Sequence, residues 1–127
     1  MSTILHVEDE SSVRFLYKEV FEELGYEVLQ ASTGEDALRM LRGKRPDIII
    51  LDLKMPGMGG RGFLEKFHRL KLQIPVVIST AYPHFRSDPV DLKADAYVVK
   101  SGDMSDLVDK VQGLVANSGR SSAVRNQ

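Results

Sequence analysis

A chain of 127 residues has room for one compact domain and little for a second. With 43% hydrophobic and 28% charged residues it can bury a core, which excludes the disordered and fibrous classes. Its 17 Lys and Arg against 18 Asp and Glu leave a net charge of -1, arguing against direct nucleic-acid binding, and the lack of Cys removes disulfides, thiolate metal sites and Cys nucleophiles.

The first apolar run, Thr3 to Val7, reads as strand β1. No basic leader precedes it and no later run reaches membrane-spanning length, so a cytoplasmic protein without membrane insertion is expected. Val13, Leu16, Tyr17, Val20 and Leu24 recur at helical steps and predict α1, closed by Gly25 where a left-handed residue is wanted. Glu27 to Ala31 is β2. Thr33 followed by Asp36 opens a short α2 with Ala37, Leu38 and Leu41 on its apolar stripe, and Gly43 and Pro46 end it. Ile48 to Leu51 is β3, Phe63, Leu64, Phe67 and Leu70 mark α3, and Val76 to Thr80 is β4. From Tyr82 to Ala94 the period is cut by Pro83 and Pro89, so a fourth helix is short or irregular, and this segment is expected to be the most mobile, with Phe85 as a partner anchor. Ala96 to Val99 is β5. Asp103 then caps a C-terminal helix carrying Met104, Leu107, Val108, Val111, Leu114 and Val115. Residues 1–116 form the expected domain, and the polar stretch 117–127 is a frayed tail or the start of a linker. Apolar strands alternating with helices predict an α/β protein, a parallel sheet with helices on both faces.

Open parallel sheets bind ligands beyond the carboxyl ends of their strands. Four strand ends deliver polar groups there: Glu8 and Asp9 after β1, Asp52 after β3, Thr80 at the end of β4 and Lys100 after β5. If β1 and β3 are neighbours, three carboxylates crowd together, and a cation relieves their repulsion better than protons do. Oxygen ligands alone favour a hard ion such as Mg²⁺, which keeps waters and shares its sphere with phosphate oxygens.

Val7-Glu8-Asp9-Glu10, the run from Ile49 through Asp52 and Lys54-Met55-Pro56-Gly57 to Gly60, Ser79-Thr80-Ala81, and Ala94 to Lys100 together resemble the response regulator receiver family of two-component signalling. The resemblance spans roughly residues 3 to 116 in order. It implies a flavodoxin-like, doubly wound, five-stranded parallel sheet of order 2-1-3-4-5. It also implies that Asp52 is the phospho-acceptor and a metal ligand, that Asp9 binds Mg²⁺ directly and Glu8 through water, and that the Lys54 backbone carbonyl is a further ligand. Thr80 and Lys100 resemble the groups that hold the phosphoryl oxygens, and Lys54 and Tyr82 the side chains flanking the path of the hydrolytic water. The implied donor is a phosphohistidine on a histidine kinase or phosphotransfer domain; the downstream target stays open, and a monomer or weak dimer is expected. Such a protein catalyses its own phosphorylation and dephosphorylation and is no turnover enzyme.

Blander readings stand beside these. Asp52 alone reads as a turn residue, Glu8 to Glu10 as an acidic approach to the α1 dipole, and Lys100 as a solvated lysine; agreement among four strand ends outweighs them. Tyr97 is either the switch aromatic of the family or a fixed packing residue. His6, His68 and His84 have no ligand spacing. The chain departs from the family in Glu8, where Asp is usual, and in Ser101, where Pro usually follows the lysine. A degenerate receiver serving only as an interaction module would have lost an acid or the lysine, and neither is lost. A phosphatase with an aspartyl-phosphate intermediate needs a second carboxylate near the nucleophile, whereas Lys54 stands two residues after Asp52.

Overall fold

The computed structural model describes residues 1–53, 57, 59–81, 93–101 and 103–125, with side chains through residue 117. Lys54, Tyr82 and the expectations for the fourth helix and Phe85 lie outside them. Strands β1 (Thr3–Val7), β2 (Glu27–Ala31), β3 (Ile48–Leu51), β4 (Val76–Thr80) and β5 (Ala96–Val99) form one parallel sheet in the order β2-β1-β3-β4-β5. The order and the fold agree with the expectation. Val7 is level with both Ala31 and Leu51, and Thr80 with Val99, so the carboxyl ends of the strands form one edge. The chain winds outward from β1 in one direction and from β3 in the other, opening a crevice between those two ends.

Alternate strand residues feed two cores, because successive side chains point to opposite faces. Leu5, Val7, Ile49, Leu51, Val76 and Ile78 pack under α2 (Gly34–Met40) and α3 (Gly59–Arg69). Ile4, Ile48, Ile50, Val77 and Val98 pack under α1 (Ser11–Glu23) and the C-terminal helix (Ser105–Arg125). Both faces of the sheet are thus covered, which explains why the strands read as continuous apolar runs.

Helix ends follow the expected chemistry. At the end of α1, Gly25 has φ 97, its amide donates to Glu22 O at 3.0 Å, and the Tyr26 amide donates to Phe21 O at 3.0 Å. That is the paired-bond ending which a left-handed residue permits, and the Phe21 and Tyr26 rings, 5.8 Å apart, seal it. Thr33 Oγ1 accepts from the Asp36 amide at 3.0 Å and starts α2. Asp103 Oδ1 accepts from the Ser105 amide at 2.9 Å.

Three details differ from the sequence reading. On α1 the buried residues are Tyr17 and Phe21, while Leu16 is exposed, because the face toward the sheet follows Val13, Tyr17 and Phe21 at four-residue steps. Leu70 falls past the end of α3 and is half exposed. The C-terminal helix continues beyond Ala116 to Arg125, no proline intervening. Among the described residues no helix is long and apolar enough to cross a membrane.

Candidate functional site

The acidic centre grows directly from the sheet ladder. The Glu8 amide donates to Ala31 O and the Asp52 amide to Val7 O, both at 3.0 Å, so hydrogen bonding carries each acid one residue past its strand before the chain turns away. One carboxylate oxygen from each of Glu8, Asp9 and Asp52 lies within 4.8 Å of the others. Glu8 is 1% exposed and Asp52 5%, while Asp9 is open to solvent. Charge held so close and so dry is costly unless compensated.

Lys100 supplies part of that compensation. Its Nζ lies 2.8 Å from Glu8 Oε1 and 3.5 Å from Asp52 Oδ1, spanning the crevice from the end of β5. The ammonium therefore bridges the two buried acids rather than extending into water. Burial pushes the Glu8 carboxyl up to about 7; pairing with Lys100 opposes the rise and the Asp52 charge adds to it. For Lys100, burial acts to lower the pKa, but pairing with Glu8 and the Asp52 charge outweigh it, so the net shift is upward and the group stays cationic. One ammonium facing three carboxylates still leaves the site anionic, and the donor set is all oxygen. These residues suit a hard divalent cation such as Mg²⁺.

Thr80 ends β4 on the same edge and is buried, and its carbonyl accepts from the Lys100 amide at 2.6 Å, which fixes where the lysine leaves the sheet. Tyr97, level with Ile78 of β4, is partly buried against the core beneath α2 and α3. Through Ile78 its Cα is level with Leu51 and Val7, the residues just before Asp52 and Glu8. Among the described residues every peptide bond is trans, and Ser101 Oγ donates to Asp103 O at 2.9 Å in the turn after Lys100.

Three supporting features escaped the sequence reading. Gly60 packs so tightly on the chain after β3 that a Cβ there would lie 2.5 Å from Leu53 Cα and 2.7 Å from Asp52 O; its amide donates to Leu53 O at 3.0 Å. The Gly59-Gly60 pair just before an apolar stripe was the available signal. Arg14 Nη1 donates to Glu8 O at 2.8 Å and to Asp9 O at 2.9 Å, a role that a lone arginine in a helix does not announce. Finally, a polar layer lies beneath the acids: His6 stacks on Tyr17 with ring centres 4.4 Å apart, and the Tyr17 hydroxyl is 2.8 Å from Ser79 Oγ. Burial, helped by Lys100 and Arg14, lowers His6 from 6.5 to about 3, so it is a neutral core histidine.

Residues 4–112 match the family described as the response regulator receiver domain. The chain is 35% identical over 111 residues to the sporulation initiation phosphotransferase F of Bacillus subtilis (strain 168), covering 86% of this chain and 90% of that protein. It is 32% identical over 118 residues to the alkaline phosphatase synthesis transcriptional regulatory protein PhoP of the same strain, covering 91% of this chain but only 49% of that protein. It thus spans about half the length of this and other transcriptional regulators that it matches. The response regulator TrrA from Thermotoga maritima, solved in complex with Mg²⁺-BeF, superposes with a TM-score of 0.84 at 40% identity, covering 90% of this chain and 99% of that one. TrrA in complex with the histidine kinase ThkA gives a TM-score of 0.82, also at 40% identity, over 90% of this chain and 98% of that one.

Proposed function

Because the chain belongs to the response regulator receiver domain family, we propose that it accepts a phosphoryl group on Asp52, in a Mg²⁺-dependent transfer from a phosphohistidine on a histidine kinase or phosphotransfer domain. The observation that carries this reading is the convergence of Glu8, Asp9 and Asp52 with Lys100 at one strand edge. A partner-binding module without phosphorylation would have no use for an anionic cluster whose assembly costs free energy.

Asp9, Glu8 and Asp52 are the side chains that would hold the metal, together with the Lys54 carbonyl. When bound, Mg²⁺ neutralises the acids and lowers the electrostatic barrier to an incoming phosphate. An Asp52 carboxylate oxygen attacks phosphorus in line, the P–N bond to the donor imidazole breaks, its electron pair stays on that nitrogen, and a P–O bond forms. Lys100 exchanges its contact with Glu8 for the phosphoryl oxygens, and the Thr80 hydroxyl donates to one of them. Hydrolysis reverses the state: water attacks the same phosphorus, the P–O bond to Asp52 breaks, and inorganic phosphate leaves with the carboxylate restored, so the domain catalyses both its loading and its unloading. Lys54 and Tyr82 flank that water path in this reading, and Tyr82 slows hydrolysis. Thr80 and Tyr97 form the switch that carries the change to a downstream protein.

For the kinase contact, Phe15 and Leu16 of α1 expose apolar surface a few residues beyond Asp9, where a helical partner can bury it. We assign the domain to residues 1–116, acting in the cytoplasm as a monomer or weak dimer. The test is a ¹H–¹⁵N spectrum recorded with Mg²⁺ and beryllofluoride. Shifts at residues following β1, β3, β4 and β5 support the reading, and a spectrum unchanged by both additions together refutes it.

A further inference from the structure

The acidic pair after β1 has an unusual support. Asp9 is exposed, so packing does not hold its side chain. What fixes its direction is the backbone, through the two peptide planes on either side of its Cα. The carbonyl of Glu8 belongs to the plane before Asp9, and the carbonyl of Asp9 to the plane after it. Both are held by the same guanidinium nitrogen, Arg14 Nη1, at 2.8 and 2.9 Å. Pinning two successive carbonyls restricts the torsions on either side of the Asp9 Cα, and with the backbone so held an Asp9 carboxylate oxygen lies within 4.8 Å of oxygens of Glu8 and Asp52.

Arg14 is itself anchored. It sits in the first turns of α1, and its own carbonyl accepts from Gln30 Nε2 of β2 at 2.7 Å. The clamp therefore connects the neighbouring strand, the helix start and the acidic loop in one chain of hydrogen bonds. The ends of the loop are held separately, the Glu8 amide donating to Ala31 O and the Arg14 amide to Glu10 O, both at 3.0 Å; Glu10 itself offers α1 no side-chain cap, and Glu8 Oε2 reaches its amide only at 3.3 Å.

We infer that Arg14 is a positioning residue for the divalent cation, holding Asp9 and Glu8 in the orientation the metal needs through their backbone carbonyls. This rests on the Mg²⁺ site proposed above. A guanidinium presents donors in a rigid fork, which suits the simultaneous grip on two carbonyls, and a lysine ammonium on a flexible stem does not reproduce it. Groups that orient metal ligands without touching the ion typically change affinity by about 10- to 100-fold when removed.

Charge and positioning make opposite predictions. Arg14 adds a positive charge beside a cation site, so if charge were its whole effect, Arg14→Ala would strengthen Mg²⁺ binding. Positioning requires weakening. Mg²⁺ affinity is measured by calorimetric titration of wild type, Arg14→Ala and Arg14→Lys at a temperature where all three are folded by circular dichroism. Amide exchange at Asp9 to Ser11 is followed in the same proteins without metal. The expected result is about tenfold or greater loss of affinity in Arg14→Ala, a smaller loss in Arg14→Lys, and faster exchange at those amides in Arg14→Ala. Equal or tighter binding by Arg14→Ala, or unchanged exchange, overturns the inference while the metal site stands. Wild type that binds no Mg²⁺ overturns the site itself.

Discussion

Replacing a glycine with alanine at two helical positions of this domain should have opposite effects, and the structure sets the sign of each. A Cβ at Gly60 would stand 2.5 Å from Leu53 Cα and 2.7 Å from Asp52 O, against about 3.4 Å for ordinary contact. Neither neighbour is a side chain that can rotate away, so α3 and the chain leaving β3 must separate by roughly 0.9 Å, a core overpacking that costs about 1–3 kcal/mol. At Gly113 in the C-terminal helix, apart from its chain neighbours and its own helix backbone, nothing among the described residues lies within 4 Å of the added methyl. There the change only removes glycine's conformational entropy and stabilises by up to about 1 kcal/mol. At about 4 °C per kcal/mol for a domain of this size, Gly60→Ala should lower Tm by about 4–12 °C and Gly113→Ala raise it by up to about 4 °C. Thermal unfolding by circular dichroism measures both. Because the displaced atoms belong to Asp52 and its neighbour, Gly60→Ala should also slow acetyl phosphate labelling at temperatures where it is folded. A Gly60→Ala protein as stable as wild type would refute the reasoning.

Other expectations follow from the same geometry. Mg²⁺ must displace the proton that burial retains on Glu8, so its apparent affinity should fall by up to about tenfold per pH unit below about 7; affinity independent of pH from about 5 to about 8 contradicts this. Without metal, the raised Glu8 pKa contributes stability that is fully present below 4.5 and lost as pH rises through about 7. His6, lowered from 6.5 to about 3, contributes stability present above 6.5 and lost as pH falls through about 3. The two slopes oppose between 4.5 and 6.5, so His6→Leu should unmask the Glu8 loss, on the order of 3 kcal/mol by urea unfolding across that rise. Phe15→Ala, removing a side chain that is 68% exposed, should reduce phosphotransfer from a kinase active on wild type about tenfold while leaving acetyl phosphate labelling intact; equal losses in both assays would place Phe15 outside the docking surface. Tyr82→Ala should shorten the phosphoryl lifetime, and an unchanged decay rate sinks the shielding role.

Much of this arrangement was legible because it lies on strands. Ile48 to Leu51 and Val76 to Ile78 are continuous apolar runs, as a sheet covered on both faces demands, and the polar residues that follow them, Asp52 after the first and Ser79 and Thr80 after the second, mark the binding edge. Helix faces were harder to read. Val13, Phe15, Leu16, Tyr17, Val20 and Phe21 encircle much of α1, so periodicity cannot choose the buried side, and three- and four-residue steps select Leu16 as readily as Phe21. Arg14 was hidden for a different reason: its partners are main-chain carbonyls, which every residue possesses and which leave no mark in the sequence. The contact between Lys100 and Glu8 depends on reach across strand ends, a distance that only the register defines. Gly60 had a visible cue in Gly59-Gly60, yet the approach to Asp52 depends on how α3 sits against β3.

The most direct test of the account is to locate the phosphoryl group. The protein is incubated with acetyl phosphate and Mg²⁺, trapped with borohydride, digested and mapped by mass spectrometry, beside an Asp52→Asn variant and a sample with the metal chelated. The account predicts a single modified residue at Asp52, absent from both controls. Label on Glu8, Asp9 or a histidine, or label retained in Asp52→Asn, would contradict it.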